Sequence, residues 1–314
     1  MRIALLGASS QIARDLAPLF AREADVELTR FVRDLEADAA WRRIAGADNV
    51  PAALPLADFD TAGSFDAVIN FIGAGDPARA AALGKSILDI TRQYDELVMS
   101  YLQRHPACRY LFLSSGAAYG ADFEQPADVS TPASFPINDL GAQHWYGLAK
   151  FHAECRHRAS PELAIADIRV FSYISRNLDI DSRFLVTDIA RALASDQTLS
   201  TSRQDIMRDY ICPEDLFALM RSVLAAAPAN VALDCYSRAP VGKMQLLEHL
   251  AAQLGLRHAL IDAPAGVNAT GLKPNYFSNH RKAAQFGYSP RFDSLTAVTD
   301  AIGHILSQSR KNDV

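Results

Sequence analysis

The chain has 314 residues, 49% hydrophobic and 21% charged, with a formal net charge of −5. That length predicts about two domains, and the balance excludes a disordered, collagen-like or low-complexity chain. The acidic excess excludes a generic nucleic-acid binder and favours a small-molecule partner.

Four cysteines, Cys108, Cys155, Cys212 and Cys235, lie far apart with no Cys-x-x-Cys pair. They suggest neither a zinc site nor a disulfide scaffold, as suits a reducing cytosol. The apolar start Met1–Gly7 is too short for a signal-peptide core, and no 18-residue apolar run occurs. A cytoplasmic protein without a membrane partner is expected. The histidines form no His-x-x-x-His or Glu-x-x-His pattern, so no metal is expected.

In chain order, Ile3–Leu6, Val26–Val32, Ala67–Ile72, Tyr110–Ser114 and Ile165–Phe171 read as short buried strands. Helical patterns lie between them at Ile12–Glu23, Ala78–Gln103 and Ala142–Ala159. Such alternation predicts an α/β fold, a doubly wound parallel sheet with right-handed crossovers. After Ser172 the rhythm changes to helices at Phe184–Ala194, Pro213–Ala227, Lys243–Leu254 and Ser294–Ser307, with an apolar segment at Val231–Tyr236. We read residues 1–171 as a dinucleotide-binding domain and 172–314 as a smaller, more helical substrate lobe. A segment near 208–238 returns to the sheet. A ligand cleft is expected between the lobes, outside the carboxyl ends of the strands.

Gly7-Ala8-Ser9-Ser10-Gln11-Ile12-Ala13 joins the first strand to the first helix. A glycine-rich turn there would set a pyrophosphate on a helix N-terminus. Only the first glycine is present, so a plain tight turn stands as the alternative to cofactor binding by Gly7, Ser9, Ser10, Gln11 and Ile12. The second strand ends Phe31-Val32-Arg33-Asp34. An acid at its end would select NAD, whereas the Arg33 guanidinium suits a 2′-phosphate and favours NADP. Two alternatives stay open: Arg33 as a solvated charge, and a one-residue slip that makes Asp34 the deciding acid. Gly73-Ala74-Gly75-Asp76-Pro77 lines the nicotinamide side or is a plain loop.

Tyr146-Gly147-Leu148-Ala149-Lys150 sets a phenol and an ammonium four residues apart, on one helix face. The ammonium is expected to lower the phenol pKa and ready Tyr146 for proton exchange. Tyr110–Gly120 reads as a buried strand ending in Ser114-Ser115 and a small-residue turn, which would place Ser115 beside the reacting oxygen.

These segments together resemble the extended short-chain dehydrogenase/reductase family, particularly its nucleotide-sugar branch. The resemblance runs over about nine-tenths of the chain and implies a Rossmann-type fold. It implies Ser115, Tyr146 and Lys150 as the catalytic set. It implies cofactor contacts at Asp58 and Phe59, an acid-plus-apolar pair against adenine, and at Phe71 and Gly73 after the fourth strand. Met207–Leu216 resembles the family segment whose arginine binds the nucleotide-sugar diphosphate. Arg208 is the candidate, with an ion pair to Asp209 or Glu214 as the alternative. Ser172 stands where epimerases of this branch carry a substrate-facing Asn, Ser175 replaces the glycine that usually follows, and Arg183 is a further substrate candidate. The dehydratases' Asp-Glu pair is replaced by Gly116-Ala117, which disfavours 4,6-dehydration. His144 and Trp145 either touch substrate or pack. Ser278–Arg291 resembles the family's closing segment, and the resemblance implies a homodimer.

The leading functional reading is an NADP-dependent reductase of a nucleoside-diphosphate-linked keto sugar. The rivals are an NAD-dependent nucleotide-sugar epimerase and a non-catalytic NADP-binding regulator.

Overall fold

The protein is described here by a computed structural model covering residues 1–73, 80, 82–120, 122–182, 184–262 and 273–312, with side chains up to residue 308. The first half runs β1 (Arg2–Leu6), α1 (Gln11–Phe20), β2 (Glu27–Val32), α2 (Leu35–Ile44), β3 (Ala53–Pro55), β4 (Ala67–Asn70), α3 (Ser86–Arg104), β5 (Arg109–Ser115), α4 (Trp145–Arg158) and β6 (Ile165–Val170). The second half runs β7 (Ser172–Tyr173), α5 (Leu185–Ala194), β8 (Leu199–Ser202), β9 (Met207–Arg208), β10 (Tyr210–Ile211), α6 (Pro213–Ala225) and β11 (Val231–Asp234). It closes with β12 (Val241–Gly242), α7 (Lys243–Leu254), β13 (His258–Ile261), β14 (Asn275–Tyr276) and α8 (Ser294–Asn312).

Among the described residues, seven parallel strands form the central sheet in the order β11-β6-β5-β4-β1-β2-β3. This is the Rossmann-type α/β arrangement that strand–helix alternation predicts. The strands are apolar on both faces because helices cover both. Ile3 and Leu5 pack with Leu16, Ile69 and Leu216 on one side, while Ala4 and Leu6 pack with Phe31, Val68 and Phe112 on the other. Strand β11 comes from beyond residue 172 and pairs with β6 through Val231↔Ala166.

Two local departures have clear causes. The helix expected from Ala78 begins partly outside the described residues. Its described part breaks at Gly84, which takes φ +52°, and α3 starts at Ser86. Helix α2 buries little, Asp38 being its one buried residue. It forms because Asp34 caps it, with Glu36 and Asp38 in its first turn and Arg42 and Arg43 in its last, each favourable to the helix dipole.

Beyond the sheet, α5, α7 and α8 share a second core around Ile189, Leu247 and Val298. Short strands tie this region together: β7 pairs with β10, β9 lies between β12 and β14, and β8 pairs with β13. None of these two- to four-residue strands shows a readable period. No described helix is long and apolar enough to cross a membrane.

Candidate active site

The turn after β1 lies where β1 adjoins β4, the point at which the strand order reverses. Ligands of doubly wound sheets bind outside the strand ends there. Gly7 takes φ +69°, and a Cβ on it would sit 2.7 Å from Ile72 Cγ1. Only glycine fits. Ser10 caps α1 by accepting from Ala13 N at 3.3 Å. Ser9 is exposed and Ile12 half-buried. Gln11 donates its amide to Ser175 Oγ at 3.1 Å, so the buried Ser175 anchors α1 to the segment after β7.

At the end of β2 the side chains sort by burial. Val32 is buried, Arg33 is exposed, and the Asp34 carboxylate accepts from Ala37 N at 2.9 Å. Asp58 is exposed, but Phe59 is fully buried among Phe31, Phe65 and Tyr101. The Phe59 ring fills the core, so an adenine contact by this pair would fall to Asp58 and the backbone. Phe71 is likewise buried in the core. Gly73 approaches the Tyr-x-x-x-Lys helix so closely that a Cβ there would stand 3.4 Å from Lys150 Nζ.

Ser115 closes β5 and caps the turn Gly116–Tyr119 by accepting from Ala117 N at 3.2 Å. Helix α4 lies directly on that turn, since a Cβ on Gly147 would come within 2.5 Å of Ala117 O. This contact brings Tyr146 beside Ser115. Lys150, buried one turn on, donates to Leu113 O at 2.7 Å and lies 4.3 Å from the Phe112 ring centre and 6.0 Å from that of Tyr146. Burial lowers its pKa to about 8, against the pull of Asp95, Glu154 and Asp167. The Tyr146 pKa is raised by burial, and the group that draws it down is Ser115. The expected lowering by Lys150 is corrected, since its ammonium is turned to a backbone carbonyl and burial dominates the phenol.

A second phenol, Tyr276 on β14, meets the serine, with 3.2 Å between its Oη and Ser115 Oγ. Beside it, Arg208 Nη1 donates to the carbonyls of Met207 (2.7 Å) and Lys273 (2.8 Å). Lys273 is buried, with Nζ 4.8 Å from the Tyr276 ring centre. Burial, reinforced by Arg208, lowers its pKa to about 8. The alternative ion pair is not formed, because Asp209 accepts from Ser237 N and Ser294 Oγ instead and Glu214 is exposed. Among the described residues no carboxylate pairs with Arg208 or Lys273.

Residues 3–234 match the family model for the NAD dependent epimerase/dehydratase family, which is well over half of the chain. The protein belongs to that family. Its fold is shared with a UDP-glucose-4-epimerase from Stenotrophomonas maltophila with bound NAD and formylated UDP-arabinopyranose. There the identity is 16%, the TM-score 0.79, and 99% of each chain is covered. It is also shared with RMD from Pseudomonas aeruginosa complexed with NADPH, at 19% identity and TM-score 0.72, covering 98% of this chain and 99% of that one. At these identities the likeness is one of fold. No curated protein sequence matches.

Within this epimerase/dehydratase family member, the structure brings Ser115, Tyr146, Lys150 and Gly73 to one place. Arg208 lies on the facing segment, through Tyr276. Ser172 is half-buried in β7, and Arg183 falls outside the described residues. Trp145 packs with Ile87 and Ala149, and His144 Nδ1 accepts from Gly141 N at 2.9 Å. Gly116 has a steric reason for lacking the dehydratase acid, since a Cβ there would stand 2.4 Å from the Phe171 ring. Sequence reasoning missed Tyr276 and Lys273. The Lys273-Pro274-Asn275-Tyr276 run carries no local signal beyond a turn-forming proline and asparagine.

Proposed function

We propose that this enzyme is an NADP-dependent reductase of a keto sugar carried on a nucleoside diphosphate. The observation that carries the substrate class is the pair Arg208 and Lys273. These are two cations without a carboxylate partner among the described residues, next to the hydroxyls of Ser115, Tyr146 and Tyr276. Buried charges are ordinarily paired, so the missing anion is read as the ligand's, and a diphosphate suits a guanidinium and an ammonium side by side. Arg33, exposed while Asp34 caps α2, supports NADP.

The residues present fit a dinucleotide. Gly7, at φ +69° and packed against Ile72, makes the tight turn after β1, Ser9, Ser10, Gln11 and Ile12 open α1, and Gly73 lies against Lys150. When bound, the nicotinamide supplies the hydride. Tyr146 then gives its proton to the reacting oxygen, Ser115 orients that oxygen, and Lys150 holds the nicotinamide ribose. Asp58 and Ser172 border the cleft in this reading, and Phe71, whose ring is buried in the core, meets it through its backbone beside Gly7. We also read the enzyme as a homodimer associating through α4, whose Phe151 is exposed.

A second reading, an NAD-dependent epimerase, uses the same three residues and is favoured by the family model's own description. NADPH absorbance, followed with a panel of nucleoside-diphosphate keto sugars, separates the two. The reductase consumes NADPH stoichiometrically. Tyr146→Phe lowers turnover roughly 10²-fold or more while coenzyme affinity stays near normal. Copurified nucleotide with turnover in the absence of added coenzyme would establish the epimerase instead.

A further inference from the structure

A serine hydroxyl has one hydrogen to give and two lone pairs to fill. At Ser115 the partners can be counted. Its Oγ accepts from Ala117 N at 3.2 Å, and the Tyr276 oxygen lies 3.2 Å away. Ser115 is the hydrogen-bonding neighbour of the Tyr276 phenol, and either oxygen can be the donor. The ring is held edge-on by Phe123 at 4.9 Å and tilted against Phe171 at 5.2 Å. Its backbone is held as well, since Tyr276 pairs in register with Arg208, whose guanidinium grips the carbonyls of Lys273 and Pro274.

We propose that Tyr276 is a positioning residue for Ser115. Its phenol donates to the serine oxygen, filling the second lone pair, so the serine's single hydrogen is left for the reacting oxygen beside Tyr146. An unconstrained hydroxyl would rotate among several partners, and each misdirected rotamer leaves that oxygen without a donor. The segment that carries the unpaired cations thereby also sets the donor at the reacting end. This rests on the reading of Ser115 and Tyr146 as the groups that meet a substrate oxygen.

The test is a double-mutant cycle in the full chain with NADP(H) bound, using Tyr276→Phe, Ser115→Ala and the pair. Tyr276→Phe keeps the ring in its aromatic seat, and a thermal melt checks that it folds. On the best substrate of the keto-sugar panel, Tyr276→Phe is expected to lower kcat about tenfold with KM little changed. In the Ser115→Ala background the same change should do nothing. Losses that multiply would overturn the proposal.

A second readout needs no substrate. In the NADP⁺ complex the free serine hydrogen points to the Tyr146 phenol, so Tyr276→Phe should move the ionisation of Tyr146 to higher pH, but not when Ser115 is Ala. ¹³C-labelled tyrosine, with Tyr146 assigned by its loss in Tyr146→Phe, reads this directly. If no keto sugar turns over and the titrations still show this coupling, the substrate reading fails and the positioning role stands. A Tyr146 titration indifferent to Tyr276→Phe removes the role whatever the kinetics show.

Discussion

Two regions of this protein treat buried charge in opposite ways. Beneath the sheet, around α4, the buried histidine and carboxylates meet counter-charges, and Lys150, turned to the Leu113 carbonyl at the site, is the exception. His157 is held between Asp95 (2.7 Å) and Asp167 (2.6 Å), with Arg156 and Arg158 on the same two carboxylates. Arg169 grips Glu154 at 2.5 Å and reaches Asp234, while Ser114 donates to Glu154. On the facing segment of β9 and β14, Arg208 and Lys273 satisfy themselves with backbone carbonyls and aromatic faces. The first arrangement is closed and holds α4 in place. The second is open in charge, and we read it as a binding surface.

Removing one arginine from each region is the strongest way to break this contrast. Arg169→Met should strand Glu154 and Asp234, because taking one partner from a buried pair costs about 3–5 kcal/mol of stability. Arg208→Ala should lower the melting temperature far less than Arg169→Met, because it loses hydrogen bonds to carbonyls and strands no buried charge. It should instead weaken a nucleotide-linked sugar by about 2–5 kcal/mol in affinity, with NADPH binding intact. Calorimetric melts and Michaelis constants on the two variants decide it. If Arg208→Ala melts as early as Arg169→Met, Arg208 is a structural strut and the contrast collapses. If free sugars turn over as well as nucleotide sugars and Arg208→Ala leaves that unchanged, the substrate assignment falls alone.

The closed region should also declare itself through pH. Hydrogen bonds and charge from Asp95 and Asp167 outweigh burial and raise the His157 pKa from 6.5 to about 9. The folded state therefore binds a proton that the unfolded state has lost between those values. Stability from the charged imidazole is complete below about pH 6.5 and is lost as pH rises through about 9, on the order of 3 kcal/mol in all. Tyr110 and Arg156 also meet Asp95, and Arg158 meets Asp167, so the comparison is made against His157→Gln, which keeps those neighbours. Urea unfolding at several pH values should show the difference between the two proteins shrinking across that window. A constant difference would mean that His157 is neutral in the folded protein.

The same contrast explains what could be read from the sequence. Tyr146 and Lys150 are one helical turn apart and Gly7 follows its strand directly, so their relation is local and needs no tertiary knowledge. The strands of the sheet are likewise visible as apolar runs, because both faces are covered. Ser115 and Tyr276 are separated by 161 positions, and the strand that carries Tyr276 is two residues long. Nothing local ties them. Phe59 shows a further limit. An acid followed by an apolar residue matches the family's adenine contact, while the placement of the ring among Phe31, Phe65 and Tyr101 comes from tertiary packing. A pair of residue types does not carry the direction in which a side chain points.

The smallest expected effect lies at the coenzyme, where the open-charge argument is weakest because Arg33 is exposed. A solvated guanidinium loses little when it has no partner, so its lack of a carboxylate says less than that of Arg208. What decides the expectation is its neighbour. One oxygen of the Asp34 carboxylate accepts from Ala37 N at the start of α2, and Val32 ends the strand buried, which favours Arg33 over an acid at the ribose. NADPH should bind at least tenfold more tightly than NADH, a gap of about 1.4 kcal/mol. Arg33→Ala should remove most of that preference. An exposed contact is screened, so the gap should narrow as salt is raised from low to high ionic strength. The affinity of Arg208 for its ligand, being partly desolvated, should fall off less steeply. Fluorescence titration of both coenzymes at two salt concentrations measures this. Equal affinities in the unaltered enzyme would return Asp34 to the ribose and give the NAD-dependent epimerase the stronger claim.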